Sequence, residues 1–250
     1  MLHSNIKTIS PIMKILSKEF PNKNITTLNR MRSGSAIFVG GKEKNSPTGK
    51  GRESQRKPLR LSLKPNAFHI LISCLLSLRA RDETTEVVSE NLFKIADTPQ
   101  KIINLPMPKL KKIIFKTGHY NKKAEALKHV SKILMESFNG KVPDTYEKLI
   151  SIKHIGPKTA NIVLAFAFGK EALPIDTHCH RIPNRLGWIK TKTPEKTEKE
   201  LERILPKKYW KEFNAIFVQF GKKTCQPISP WCSKCPIEKY CEKIGVEKSR

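Results

Sequence analysis

From residue 66 onward, apolar residues recur at intervals of three and four, which is the spacing of one face of an α-helix. Phe68, Leu71, Ile72 and Leu75 begin the pattern. The later segments that repeat it are 82–95, 110–115, 124–138, 146–152 and 158–168. No segment alternates apolar and polar residues between hairpin turns, as a strand would. The pattern therefore predicts an all-α fold.

Capping preferences predict where some of these helices begin. Asp82 is a candidate side-chain N-cap, and Asp144 with Glu147 resembles a capping box. Near the N-terminus, Ser10 followed by Pro11 predicts the start of one more amphipathic helix.

The helical pattern is lost between the N-terminal helix and residue 66. From Gly40 to Arg60 the one apolar residue is Leu59, and Gly, Ser, Pro, Lys and Arg dominate. Such a composition predicts a flexible basic insertion over residues 33–65. Its cations can contact phosphates without specificity, but a solvated insertion is the interpretation we favour.

Composition narrows the class of protein. The 250 residues carry a net charge of +26 and are 38% apolar, which is more than a disordered chain has. No apolar run approaches the roughly 18 residues of a membrane-spanning helix, and the N-terminus has no secretory signal pattern. The net positive charge fits a protein that binds a polyanion, although the codon bias of an AT-rich genome, which raises the lysine content of proteins, would produce the same excess.

A helix–turn–helix break lies at Lys153-His154-Ile155-Gly156-Pro157. A tight turn at Gly156 leaves backbone N–H groups free at the start of the next helix, where the helix dipole also favours an anion such as a phosphate. Short helix connections with glycine are also common for purely structural reasons, so the turn alone does not establish DNA binding.

Lys158 and Asp176 form a candidate catalytic pair. A lysine amine at the start of a helix can act as a nucleophile and form a Schiff base. A carboxylate such as Asp176 can activate that amine or stabilise positive charge on a sugar. The alternatives are a solvated surface lysine and an aspartate that caps the following helix.

Four of the six cysteines crowd near the C-terminus at Cys225, Cys232, Cys235 and Cys241. Four thiolates in one short loop suit a tetrahedral zinc ion or a four-iron, four-sulfur cluster. Zinc modules usually carry two tight cysteine pairs, whereas this segment has one tight pair between two single cysteines. The spacing favours iron–sulfur over zinc.

Taken together, these motifs resemble the endonuclease III family of helix-hairpin-helix DNA glycosylases. Residues 155–164 resemble the family's hairpin, and residues 176–185 resemble its catalytic-aspartate segment. The 18-residue separation of Lys158 and Asp176 and the cysteine spacing are also those of the family. The resemblance runs from about Asn66 to Cys241.

The resemblance implies an architecture of two helical domains with a DNA cleft between them. A six-helix domain with the helix-hairpin-helix would span residues 66–171. A second domain would combine residues 1–32 with residues 172–250, which hold the catalytic aspartate and a 4Fe-4S cluster loop. Residues 33–65 would be the insertion.

The resemblance also implies a bifunctional DNA glycosylase and AP lyase of base excision repair. Lys158 would attack C1′ of a flipped, oxidised pyrimidine nucleotide with help from Asp176, and β-elimination would cut the strand 3′ to the abasic site. Alternatives are a mismatch- or uracil-specific glycosylase and an inactive DNA-binding homologue. A cluster-bearing electron carrier leaves Lys158 and Asp176 unexplained.

Three positions depart from the family's pattern. His154 replaces a hairpin glycine whose backbone can require positive φ, and Lys153 and His154 add possible phosphate contacts. Arg79 stands near the position of a glutamine that fills the gap left by the flipped base. His119 stands where relatives place an apolar wedge, and histidine can stack on bases.

The expected partner is therefore duplex DNA with damaged bases or abasic sites, bound by a monomer without membrane contact. The expected location is that of the DNA, which is cytoplasmic and nucleoid-associated in a prokaryote and nuclear otherwise, and not secreted.

Overall fold

The computed structural model describes residues 5–21 and 66–250, and within these ranges every regular element is helical. The predicted insertion at 33–65 lies outside the described residues. The α-helices are α1 (Ile9–Glu19), α2 (Ala67–Ser77), α3 (Asp82–Phe93), α4 (Pro99–Asn104), α5 (Met107–Ile114), α6 (Tyr120–Phe138), α7 (Tyr146–Ile150), α8 (Pro157–Ala167), α9 (Thr177–Arg185), α10 (Pro194–Ile204) and α11 (Trp210–Lys223). Short 3-10 turns lie at Ile6–Thr8, Phe115–Thr117, Lys207–Tyr209, Cys232–Lys234 and Glu238–Tyr240. The prediction of an all-α fold is confirmed for this part of the chain.

Two separate hydrophobic clusters hold these helices together. The first is built from α2 to α8 and contains buried residues between Phe68 and Ala172. The second combines α1 with the helices that follow Leu173, and extends to Ile237 near the cysteines. Along the chain, α1 packs in the second cluster, α2 to α8 form the first cluster, and the helices after Leu173 pack in the second cluster again.

The N-terminal helix is anchored to the C-terminal half of the chain. Trp188 Nε1 donates a hydrogen bond to Thr8 Oγ1 at 3.0 Å, and Asn5 Nδ2 donates to the Leu186 carbonyl at 3.0 Å. The helix begins at Ile9, after a 3-10 turn, with Thr8 at the N-cap. The predicted start at Ser10 is therefore wrong, because the 3-10 turn has already set the helical direction.

Two other predicted caps are also displaced. The N-cap of α3 is Arg81, one residue before Asp82, and that of α7 is Thr145, which makes no side-chain cap bond. Asp144 instead forms an ion pair with Lys170 at 2.9 Å. The Asp144 carboxylate, which the local pattern predicted to cap α7, therefore pairs with a lysine that is distant in sequence.

No helix in residues 5–21 and 66–250 is long and apolar enough to cross a membrane.

Candidate active site

A cleft of about 690 Å³ lies where the two hydrophobic clusters meet. Gly156, Pro157 and Lys158 line it from the first cluster, and Asp176 and His178 line it from the second. The turn between α2 and α3 contributes further lining residues, as do the first turn of α10 and one face of α11. The cleft therefore collects residues that are distant in sequence.

The α7–α8 connection forms a hairpin at the edge of this cleft. Gly156 is the N-cap of α8, and no side chain caps this helix end. A Cβ at Gly156 would meet no atom within 4 Å, and its φ of −93° is open to any residue. Neither packing nor backbone conformation therefore requires glycine here. Its absent side chain leaves the first N–H groups of α8 open to close approach by a ligand.

His154 takes the left-handed conformation that glycine prefers, with φ of 80°. This conformation strains a residue with a side chain. The ring makes an edge contact with His129 at 5.4 Å between centroids. Burial lowers the pKa of His154, and the neighbouring His129 and Lys153 lower it further. The lowered pKa favours the neutral imidazole, and His154 lines the cleft as a hydrogen-bonding group.

Lys158 and Asp176 meet across the cleft. The Lys158 Nζ lies 4.0 Å from Asp176 Oδ2, with the lysine side chain 46% exposed and the aspartate side chain 12% exposed. Asp176 Oδ1 accepts hydrogen bonds from the backbone N–H groups of His178 at 2.9 Å and Cys179 at 2.8 Å. One carboxylate oxygen thus caps α9 while the other faces the amine, so capping the helix leaves the second oxygen available to Lys158.

His178 stands beside this pair. Arg181 Nη2 lies 3.1 Å from His178 Nδ1, and because arginine only donates, Nδ1 is the acceptor and Nε2 carries the ring proton. Burial lowers the pKa of His178 against the opposing effect of Asp176. A Cβ at Gly221 would come within 2.2 Å of the ring, so α11 can pass this close only with glycine there.

Two exposed turns lie near the cleft, and each contains a residue with positive φ. Arg79 has φ of 55° in the turn after α2, and His119 has φ of 47° in the turn before α6. Leu78 and Ala80, which flank Arg79 in the chain, line the cleft. The side chains of Arg79, His119 and Lys153 are not among its lining residues, although all three are exposed.

The four C-terminal cysteines surround a second, smaller cavity. No disulfide joins any of the six cysteines of the chain. The backbone N–H of Lys243 donates to Cys241 Sγ at 3.4 Å, and Arg185 Nη1 donates to Cys225 Sγ at 3.4 Å. Within the described ranges, no group of three or more His, Cys, Asp or Glu side chains converges on a site for one metal ion. A shared cavity lined by four thiols with donors directed at the sulfurs fits a sulfur-ligated cluster.

Comparison with known proteins identifies the family. The sequence matches the HhH-GPD superfamily of base excision DNA repair proteins over residues 72–207, more than half of the chain. It is 46% identical to an endonuclease III of Thermotoga maritima over 175 residues, which are 70% of this chain and 82% of the relative. An endonuclease III of Rickettsia conorii is 36% identical over 71% of this chain and 84% of its own. The chain belongs to the endonuclease III family.

Solved endonuclease III structures share the fold. A non-covalent endonuclease III–DNA complex superposes with a TM-score of 0.75 at 27% identity and covers 95% of both chains. A trapped covalent endonuclease III–DNA intermediate also gives 0.75, at 26% identity, covering 95% of this chain and 96% of that one. The predicted family and fold class are therefore confirmed.

Sequence reasoning missed two arginines of α9, the helix that Asp176 caps, which hold the cysteine loop. Arg181 Nη2 donates to the Cys225 carbonyl at 2.7 Å. Arg185, only 7% exposed, donates to the carbonyls of Gln226 at 2.6 Å and Pro227 at 2.7 Å. Their separation by four residues, which places them on one face of a helix, was the available signal.

It also missed two carboxylates inside the cleft. Glu195 and Glu198, from the first turns of α10, line it together with Lys222 of α11. Burial raises the pKa of the Glu198 carboxyl, and the nearby carboxylates of Glu202 and Glu195 add to the rise. Their spacing of three residues on a charged helix resembles an ordinary solvated face, which is why the pattern did not distinguish them.

Proposed function

We propose that this chain is a bifunctional DNA glycosylase and AP lyase of base excision repair, which removes oxidised pyrimidines from duplex DNA. The observation that carries the proposal is the approach of Lys158 Nζ to Asp176 Oδ2 at 4.0 Å inside a cleft beside the hairpin. A monofunctional hydrolase needs the carboxylate but not an amine nucleophile, so the pair favours combined glycosylase and lyase chemistry.

The chemistry begins with attack by the neutral Lys158 amine on C1′ of a flipped nucleotide. The C1′–N bond to the base breaks, and the base leaves with the bonding electrons and is protonated. Asp176 accepts the proton that the attached amine loses. The sugar ring then opens as O4′ is protonated, which leaves a Schiff base between Lys158 and C1′.

Strand cleavage follows from the Schiff base. Loss of a proton from C2′ drives β-elimination, in which the C3′–O bond breaks and its electrons leave with the phosphate. Water then hydrolyses the Schiff base and frees the Lys158 amine. The side chain of Asp176 is only 12% exposed, so its carboxylate lies largely out of bulk water. Because water screens it less there, the carboxylate interacts more strongly with positive charge on the sugar.

The hairpin and the two exposed turns supply the proposed DNA contacts. The uncapped N-terminus of α8 at Gly156 would receive a backbone phosphate, with Lys153 and His154 beside it. Arg79 and His119 project from the turns after α2 and before α6, where they would fill the space that the flipped base leaves.

We also propose that Cys225, Cys232, Cys235 and Cys241 hold a 4Fe-4S cluster. The support is their common cavity, their free thiols and their family spacing. When bound, the cluster would cross-link the C-terminal loop, and thiolate ligands with nearby N–H donors are typical of such centres. Its role here is to shape the loop that follows α11.

The domain organisation that we propose follows the two hydrophobic clusters. Residues 66–171 would form the hairpin domain, and the N-terminal segment, of which residues 5–21 are described, would join residues 172–250 in the cluster domain, with DNA bound between them. The protein would act as a monomer wherever the genomic DNA lies, in the nucleoid of a prokaryote or the nucleus of a eukaryote.

Borohydride trapping on a duplex with an abasic site tests the proposed chemistry. The wild-type chain is expected to give a covalent adduct, Lys158→Gln is expected to give none, and the exposed control Lys141→Gln is expected to match the wild type. Tight binding by the wild type without adduct or nick would instead support an inactive DNA-binding homologue. A panel of duplexes with oxidised, uracil and mismatched bases would identify the preferred base.

The metal is tested separately. Iron and sulfide content, together with a brown colour, would support the cluster, whereas a colourless protein with stoichiometric zinc would contradict it.

A further inference from the structure

Among the lysines of residues 5–21 and 66–250, Lys123 alone is buried. Lys123, in the first turn of α6, is 6% exposed. Its Nζ donates hydrogen bonds to the Leu76 carbonyl at 2.7 Å and the Thr117 carbonyl at 2.8 Å. Burial of an ammonium costs several kcal/mol unless partners satisfy it, so this position has a specific role in the fold.

The two carbonyls belong to buried residues that lead directly into the two exposed turns. Leu76 is the penultimate residue of α2 and is followed by the turn at residues 77–80, which contains Arg79. Thr117 ends a 3-10 turn and is followed by residues 118–119, which contain His119. Because both carbonyl oxygens contact the same Nζ, the Leu76 and Thr117 oxygens lie at most about 5.5 Å apart.

The backbone of Lys123 holds the second turn as well. Its N–H donates to the His119 carbonyl at 3.1 Å, as the first helical hydrogen bond of α6. Gly118 and His119 both have positive φ, and Arg79 in the other turn does too, so neither turn continues a regular helix. Turns of this kind keep a fixed relative position only where buried groups connect them, and Lys123 provides that connection.

We propose that Lys123 is a positioning residue that holds the turns at 77–80 and 117–119 in one register, so that Arg79 and His119 enter the duplex together at a lesion. The proposal rests on the proposed function, because it requires that the two turns contact DNA. It adds that recognition of a lesion depends on a lysine that never touches the DNA.

The matched control lies on the same helix. Lys128 Nζ also donates to two backbone carbonyls, but these belong to Ile103 near the end of α4 and to Leu105 in the connection to α5. Lys123→Met and Lys128→Met therefore remove the same type of interaction. Only the first of them touches the proposed DNA-contacting turns.

The experiment compares binding of the full-length protein to two duplexes by fluorescence anisotropy. One duplex is undamaged, and the other carries a tetrahydrofuran analogue of an abasic site, which cannot react with Lys158. K123M is expected to lose about tenfold or more affinity for the abasic duplex and to stay within about twofold on undamaged DNA, where phosphate contacts dominate. K128M is expected to keep both affinities within about twofold.

A thermal unfolding measurement on each variant separates positioning from stability. A ratio of abasic to undamaged affinity for K123M equal to that of the wild type would overturn the proposal, as would an equal loss of this ratio in K128M. Where K123M does not fold, Lys123→Gln retains one amide donor, and a smaller loss of the same ratio is expected. Since binding is measured without chemistry, a missing borohydride adduct would count against the proposed reaction and leave this test intact.

Discussion

Asp176 uses its two carboxylate oxygens for different purposes, and two substitutions separate them. Oδ1 accepts the backbone N–H groups of His178 and Cys179, and Oδ2 faces Lys158 at 4.0 Å. Asp176→Asn keeps an oxygen that can cap α9 but removes the negative charge. Asp176→Ala removes both.

The expected stabilities differ by an amount that the cap determines. Replacing an N-cap Asp by Ala costs about 0.5–2 kcal/mol, whereas Asn caps about as well as Asp. Loss of a carboxylate at a helix N-terminus adds about 0.3–1 kcal/mol to both variants. D176A should therefore unfold about 0.5–2 kcal/mol more easily than D176N. This is a difference of roughly 1–8 °C in Tm for a chain of this size.

The expected activities, in contrast, are equally low. Both variants lack the carboxylate that accepts the proton of Lys158, and removal of a positioned acid or base costs roughly 100- to 10,000-fold in rate. Single-turnover cleavage of an abasic duplex, alongside urea unfolding, measures the two effects separately. Wild-type cleavage by D176N would refute the role of the charge, and equal stability of D176N and D176A would refute the role of the cap.

Four further predictions follow from individual residues. Gly156→Ala should leave Tm unchanged within about 1 °C, because the added Cβ meets no atom within 4 Å. The same substitution should weaken duplex binding measured by anisotropy, and unchanged binding would exclude a phosphate at this helix end. His154→Gly should raise the free energy of unfolding by about 1 kcal/mol through relief of the strain at φ of 80°, and a lower value in urea unfolding would contradict this. Arg185→Met removes two hydrogen bonds to the loop carbonyls and one to Cys225 Sγ, so iron content per chain should fall relative to the exposed control Arg203→Met. Burial lowers the pKa of Lys123 to about 8, below the 10.5 of an exposed lysine, so between these pH values the unfolded chain binds more protons than the folded chain. The unfolding free energy of the wild type should therefore rise relative to that of K123M, by on the order of 1 kcal/mol from pH 7 to pH 9. A difference that stays constant over this pH range would contradict the prediction.

The apolar periodicity located the helices of the first hydrophobic cluster well because their burial is dictated by local sequence. The segment 124–138 falls within α6 and the segment 158–168 nearly coincides with α8. Helix α10 was not predicted, since its single fully buried apolar residue is Leu201 among charged neighbours. Its position depends on packing against distant parts of the chain, which no local pattern records.

The candidate site divides in the same way. Lys158, Asp176 and the four cysteines lie within short motifs, and the structure places the first two across one cleft and the cysteines around one cavity. Lys123 was not predicted, because its sequence neighbours resemble those of many exposed lysines and its partners are 47 and 6 residues away. A buried charge reveals its role only when the carbonyls that satisfy it are known.

Helix α9 shows why the catalytic and cysteine motifs occur together in one chain. Its N-terminus is capped by Asp176, and its later turns carry Arg181 and Arg185, which bind the loop that begins at Cys225. The helix has nine residues and is about 13 Å long, with Pro183 in its interior. Arg181 and Arg185 therefore bind the cysteine loop from the same short helix whose N-terminus carries Asp176. Under the proposed chemistry, the loop would contribute to the position of that carboxylate without contacting the reacting atoms.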